Sequence, residues 1–188
     1  MSNAIAAIIL AAGKGTRMKS DLHKVLHPIA GRPMLMHLMD SVDELGPQRK
    51  VVVVGSGKEQ LESALAGSAD LALQEPQLGT GHAVQQAESA LAGFDGDVLI
   101  LYGDVPFVPT ATLRSMIERL HAGDKPAVVV LAFDAVDPHH YGRVITAPGG
   151  QIEKMVEYKD ASPEERDCTI CNSGLMAVRS RDLFALLA

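Results

Sequence analysis

The chain has 188 residues, 47% of them hydrophobic and 4% aromatic with no Trp, so one core of Val, Ile, Leu, Ala and Met is expected in a single domain spanning 1–188. A formal charge of −6 argues against a general nucleic-acid binder, which would present a basic surface. The balance reverses locally in residues 11–32, where Lys14, Arg17, Lys19, Lys24 and Arg32 face Asp21 alone, a cluster suited to a small polyanion.

Residues 4–10 form an apolar run ended by small residues and Gly13, which reads as a buried first strand. Even extended to residue 12 the run is too short to span a bilayer, and no positive segment or small-residue cleavage site flanks it, so a soluble cytoplasmic chain is expected. Pro33 can open a helix in which Met34, Leu35, Leu38, Met39, Val42 and Leu45 recur at helical spacing until Gly46-Pro47 stops it. Residues 51–54 then predict a second buried strand, 58–66 a helix, 71–73 a short strand and 81–91 another helix. Residues 98–101 predict a strand, 112–121 a helix and 127–133 a strand. This β-α-β-α rhythm predicts a Rossmann-like, three-layer α/β/α fold with a mostly parallel sheet, whose ligands lie outside the carboxyl ends of the strands.

After residue 133 the rhythm changes. Turns at Asp137-Pro138 and Pro148-Gly149-Gly150 bracket residues 143–146 and 151–157 as an inserted hairpin region. Residues 162–166 are polar, a loop or a single helical turn, and 169–178 return to strand. Ser180 is the expected cap of a last helix from Arg181, whose apolar face of Leu183, Phe184, Leu186 and Leu187 would need a cover. Cys168 and Cys171 are a lone C-x-x-C; on a strand this spacing puts them on opposite faces, which favours buried thiols over zinc or redox work.

Two segments carry chemistry. Leu10-Ala11-Ala12-Gly13-Lys14-Gly15-Thr16-Arg17-Met18 follows the first strand, with Lys24 beyond it. Its glycines let backbone approach a ligand closely, and Arg17 and Lys24 offer donors to phosphate oxygens. A dinucleotide fingerprint would need Gly at position 18, and a Walker loop ending on Gly13-Lys14 would need Gly at position 8 and Ser or Thr at position 15, so neither common phosphate loop is present. Tyr102-Gly103-Asp104-Val105-Pro106 follows a buried strand, where a carboxylate is well placed to hold Mg²⁺ against phosphates. Taken singly, the first segment can also be an exposed turn with solvated charges, and Asp104 can merely cap a turn.

Together these residues resemble the sugar nucleotidyltransferase family. The further segments Leu73-Gln74-Glu75-Pro76-Gln77-Leu78-Gly79-Thr80-Gly81-His82-Ala83, Tyr141-Gly142-Arg143, Val156-Glu157-Tyr158-Lys159-Asp160-Ala161 and Asn172-Ser173-Gly174 are similar to its N-acetylglucosamine-1-phosphate uridyltransferase branch. In that branch the domain is fused to a left-handed β-helix acetyltransferase, through which full-length members are expected to form trimers. The likeness runs from Ile5 to about Val178 and implies a nucleotidyltransferase fold. It implies that Leu10, Ala11, Ala12, Gly13, Gln74, Gly79 and Thr80 hold uracil and ribose. It further implies that Arg17 and Lys24 meet the triphosphate, that Asp104 binds Mg²⁺, and that Gly142, Glu157 and Asn172 surround the amino sugar with Tyr102 and Gly103 nearby. Gln can donate and accept at once, matching the donor and acceptor edge of uracil.

The implied reaction joins UTP and N-acetylglucosamine 1-phosphate to give UDP-N-acetylglucosamine, a cell-wall and lipopolysaccharide precursor, and pyrophosphate. The attacking phosphate is already an anion, so His23, His27 and His82 are not needed as bases. Ser173 stands where the family often has Thr. The family's second metal ligand, an Asn, would lie beyond Ala188, and the β-helix is absent; a C-terminally truncated domain with impaired turnover and no acetyl transfer is therefore expected. A different sugar or nucleotide on the same scaffold, or a nucleotide-sugar sensor without turnover, are the alternatives.

Overall fold

The computed structural model describes residues 4–13, 15 and 18–188. They fall into two compact units, residues 1–129 with 176–188, and residues 130–175. In chain order the first unit contains β1 (Ile5–Ala11), β2 (Pro28–Ile29), β3 (Arg32–Pro33), α1 (Met34–Asp43), β4 (Arg49–Val54), α2 (Lys58–Leu65), β5 (Asp70–Leu73), α3 (Thr80–Gln85), β6 (Asp97–Tyr102) and α4 (Thr110–Leu120). Then come β7 (Val128–Asp134), β8 (Arg143–Thr146), β9 (Ile152–Val156), α5 (Pro163–Arg166), β10 (Ile170–Arg179) and α6 (Ser180–Leu186).

In the first unit β1 is central. It runs parallel to β4, with Ile8 opposite Val51, and parallel to β6, with Ile8 opposite Ile100. β5 adds parallel to β4, and Met176–Arg179 of β10 add antiparallel to β6. The sheet is thus mixed: parallel where helical crossovers link the strands, antiparallel where the chain returns from the hairpin region without one.

Alternation along the strands sorts the core into two layers. Ala6, Ile8, Leu10, Val51, Val53, Val98 and Ile100 pack with Ala83, Val84 and Ala87 behind α3 and Leu183 of α6. The alternate residues Ile9, Val52, Leu99 and Leu101 are equally buried, matching the buried stripes Leu35, Leu38, Met39 and Val42 of α1 and Leu113, Met116 and Leu120 of α4. Each fully buried Ile or Val contributes about 1.5–3 kcal/mol relative to exposure, which is why short unbroken apolar runs suffice for these strands.

Several local expectations change. The predicted helix over 81–91 is α3 followed by i→i+3 turns, with Gln86, Ala87 and Glu88 donating to Ala83, Val84 and Gln85, and then a 3-10 turn at Ser89–Leu91. Ser180 does not cap α6: Arg179 is the cap residue, and the Ser180 hydroxyl accepts from Gly96 N at 3.1 Å. The apolar face of α6 is already covered, since Leu183 is buried and Phe184 and Leu187 pack against the α3 layer, leaving only Leu186 exposed among those four. The hairpin of β2 and β3 has no counterpart in the hydrophobic pattern; it turns through Ala30 and Gly31, both at positive φ.

The second unit is built on the antiparallel pair of β8 and β9, Arg143 opposite Val156, with Cys171 of β10 opposite Arg143. β7 also pairs with β10, and the Ser173 hydroxyl donates to Leu131 O at 2.6 Å. The polar segment at 162–166 is α5, a single turn closed by a reciprocal capping box between Ser162 and Glu165. Cys171 is buried on β10 as expected, but Cys168 precedes the strand and is only half-buried, so strand alternation does not govern it. Among the described residues no helix is long and apolar enough to cross a membrane.

Candidate functional site

The carboxyl ends of β1, β5 and β6 converge on a cleft of about 620 Å³ in the first unit. Its floor is Leu10, Ala11, Ala12 and Gly13, where β1 runs out of strand pairing. Gln74 N continues the β4 ladder to Val54 O at 2.8 Å, and Gly103 N continues that of β1 to Leu10 O at 3.0 Å. These two bonds carry Gln74 to one side of the floor and Tyr102 and Asp104 to the other. Gly79 and Thr80 begin α3 at the rim. Gly103 itself packs on Val25 and Leu35, where an added Cβ would meet Val25 Cγ1 at 3.2 Å. Arg17 lies outside the described residues.

Lys24 opens a short 3-10 turn whose Val25 and Leu26 are buried, and that anchorage aims its side chain into the cleft. There Lys24 Nζ donates to Asp104 Oδ2 at 2.5 Å across eighty positions of sequence. Both side chains keep about a third of their surface open, 39% and 34%, so each stays available to a ligand. Gly15 is obligatory beside them: its φ is +56°, and a Cβ would lie 2.7 Å from Lys24 Cβ.

Asp104 fits a magnesium site of the kind that takes one or two protein oxygens and completes its shell with phosphates and water. Among the described residues no group of three or more metal-binding side chains gathers. Lys24 beside the carboxylate suits a place where phosphate oxygens supply the missing negative charge.

Gln74 is 4% exposed and strongly committed. Its Nε2 donates to Gly79 O at 2.9 Å and lies 3.1 Å from His82 Nδ1. Two amide hydrogens thus have two acceptors, and Oε1 is left for the cleft that Gln74 lines. The side chain offers an acceptor, not the donor–acceptor pair expected from its residue type.

Gln77, Gly55 and His23 join the site although their residue types alone do not point to it. Gln77 Nε2 donates to Ala12 O, clasping the 74–80 loop to the floor. Buried Gly55 lies under that clasp, where a Cβ would stand 2.7 Å from Ala12 O and closer still to Gln77 Nε2. His23, just before Lys24, is 7% exposed, and its backbone N is held by Gln60 Oε1 at 2.8 Å. Neither ring nitrogen has a hydrogen-bond partner. Burial pushes its pKa below the ordinary histidine value, the backbone of Ala11 offsetting this in part.

In the second unit the structure also gathers predicted residues. Asn172 N donates to Gly142 O at 2.9 Å, and a Cβ on Gly142 would lie 3.5 Å from Glu157 Oε1. The neighbouring Arg143, 2% exposed, fastens this corner by donating to the carbonyls of Pro138, His139, Tyr141 and Arg166. Its sequence signal is only a charge between Gly142 and a β-branched pair, which does not distinguish a buried brace from a surface residue.

Residues 7–162 match the family model described as MobA-like NTP transferase domain. All 188 residues are 74% identical to the bifunctional protein GlmU of Sphingopyxis alaskensis and 71% identical to that of Novosphingobium aromaticivorans. The chain spans 42% of the length of each of these relatives. Among solved structures, a putative glucose-1-phosphate thymidylyltransferase from Bacillus anthracis superposes with a TM-score of 0.80 at 20% identity, over 97% of this chain and 74% of that one. HddC from Yersinia pseudotuberculosis gives a TM-score of 0.72 at 22% identity, over 95% of this chain and 78% of that one. At such identities these two speak for the fold alone, a nucleotidyltransferase-like mixed sheet between helices. The family match covers most of the chain and includes the whole cleft-lining set, and the chain therefore belongs to the MobA-like NTP transferase domain family.

Proposed function

We propose that residues 1–188 are the uridylyltransferase portion of an enzyme that joins UTP to N-acetylglucosamine 1-phosphate. The phosphate of the sugar attacks the α-phosphorus of UTP, giving UDP-N-acetylglucosamine and pyrophosphate. The observation that carries this reading is the cleft that unites an acceptor-presenting Gln74 with the Lys24–Asp104 pair, in a chain closely similar to proteins named GlmU.

Uracil carries an N3–H between two carbonyls, and Gln74 Oε1 is a matched acceptor for that proton. The small residues Ala11, Ala12 and Gly13 leave room for a flat pyrimidine against backbone. Lys24 and Arg17 serve the triphosphate, and Lys24 swings from the carboxylate to the phosphates while stabilising the leaving pyrophosphate. Magnesium, when bound, supplies charge neutralisation on phosphate oxygens, and Asp104 would hold it. Gly142, Glu157 and Asn172 are assigned to the amino sugar, as are Tyr102 and Gly103. Little bond-making is asked of any side chain, because the nucleophile is an anion already; alignment and charge carry the rate. This work belongs in the cytoplasm, supplying cell-wall and lipopolysaccharide synthesis.

The test is pyrophosphate release. UTP with N-acetylglucosamine 1-phosphate and Mg²⁺ should release it, and UTP alone should not. Tight UTP binding with no release under any sugar phosphate would instead mark a sensor.

A further inference from the structure

We propose that His82 is a positioning residue for base selection: it fixes the Gln74 amide so that only an acceptor meets the nucleobase, admitting uracil and turning away cytosine. The inference rests on the reading that the base lies against Gln74.

The geometry leaves the amide one orientation. Gly79 O can only accept, so the group facing it at 2.9 Å must be the Gln74 NH₂ and not its carbonyl. The same nitrogen lies 3.1 Å from His82 Nδ1, which faces an amide nitrogen that can only donate and so is the accepting nitrogen of the ring. With both hydrogens directed at Gly79 and His82, the amide cannot turn over without losing two bonds inside a site where Gln74 is 4% exposed. Flipping would set Oε1 against a carbonyl oxygen and a ring lone pair.

His82 is itself held from below. It sits in the first turn of α3, and its carbonyl accepts from Gln86 Nε2 at 3.0 Å, one turn on. The next two residues, Ala83 and Val84, are buried in the sheet-facing layer and set the rotation of the helix. The ring therefore meets Gln74 through the packing of α3, without touching the nucleotide.

The consequence is chemical. Uracil N3 carries a hydrogen that Oε1 can accept. Cytosine N3 is a bare lone pair, and against Oε1 it would place two acceptors face to face, leaving a desolvated pair unsatisfied. If the amide were free to turn, Gln74 could serve either base. The imidazole is what removes the second option.

The experiment measures competitive binding of UTP and CTP by calorimetry, without sugar phosphate, for the wild type, His82→Leu and His82→Asn. Leu is a good helix former at this half-buried position and lacks an acceptor; Asn can place its Oδ1 near where Nδ1 stood. The expected result is that the UTP-to-CTP preference falls roughly fivefold in His82→Leu, the effect of one neutral hydrogen bond, and is largely kept in His82→Asn. Pyrophosphate affinity, read in parallel, should be the same in all three. An unchanged preference in a folded His82→Leu overturns the role of His82. A His82→Asn variant that loses the preference as fully as Leu also overturns it, since the acceptor would then not be what matters. A wild type that binds UTP and CTP alike overturns instead the placement of the base at Gln74.

Discussion

Replacing Gly55 by Ala should loosen the nucleotide site without substituting any residue assigned to the nucleotide. The added methyl would stand 2.7 Å from Ala12 O and closer still to Gln77 Nε2. An ordinary contact needs about 3.4 Å, so the floor at Ala12 must retreat by roughly 0.7 Å or the Gln77 clasp must open. Gly55 has no positive φ to confound the result, being absent from the positive-φ glycines. Overpacking of this kind costs about 1–3 kcal/mol, and losing the Gln77–Ala12 hydrogen bond adds about 1 kcal/mol. At about 2–4 °C per kcal/mol for a chain of this size, thermal unfolding should fall by roughly 4–16 °C. The part of the strain left in the floor should appear in UTP affinity as a loss of about tenfold by calorimetry. Gln77→Ala, which removes the clasp without the methyl, should lose only the smaller share. A Gly55→Ala protein that melts and binds UTP as the wild type does would refute the claim that this contact sets the floor.

Asp104→Asn keeps the shape of the cleft but removes the charge proposed to hold Mg²⁺; pyrophosphate release should fall about a hundredfold or more, while UTP binding measured in chelator stays unchanged or tightens. His23 gives a pH signature. Its folded pKa is depressed below 6.5 by burial, so the unfolded chain binds the proton more readily; its contribution is full above about pH 6.5 and is lost as pH falls below that value toward the folded pKa. His23→Phe should therefore flatten the dependence of melting temperature on pH between about 7 and 5 relative to wild type, and identical slopes would refute the assignment.

Much of the fold was legible because parallel strands buried on both faces announce themselves as unbroken apolar runs: residues 51–54 and 98–101 sit within β4 and β6. What resisted was decided by hydrogen-bond geometry that hydrophobic patterning does not encode. The apolar positions Ala83, Val84, Ala87 and Leu91 keep helical spacing through a segment whose backbone tightens to i→i+3 bonds after Gln85. Ser180 had the residue type of a cap, yet its hydroxyl found Gly96 in another strand connection. A cap needs a free neighbouring N–H, and which N–H is free depends on tertiary contacts.

For the cleft, residue types pointed to the glycine-bearing floor after the first strand, to Lys24 beyond it and to Asp104 after a buried strand, whereas Gln74 was implied only by the family resemblance. The supporting shell was invisible. Gly55 reads as a turn glycine, Gln77 as a surface amide and His82 as one helical position among several. Their significance lies in pairwise distances across 65 positions of sequence for Gln77 and Ala12, and eight for Gln74 and His82. The Gln74 amide is the case where this matters most for chemistry. As an isolated side chain it can offer a donor and an acceptor, and from sequence either base edge could be matched. Once Gly79 O and His82 Nδ1 claim its hydrogens, one choice remains. If the base lies against Gln74 as proposed, selectivity follows from how that amide is held, and a change at position 82 alone should weaken the preference while Gln74 is kept.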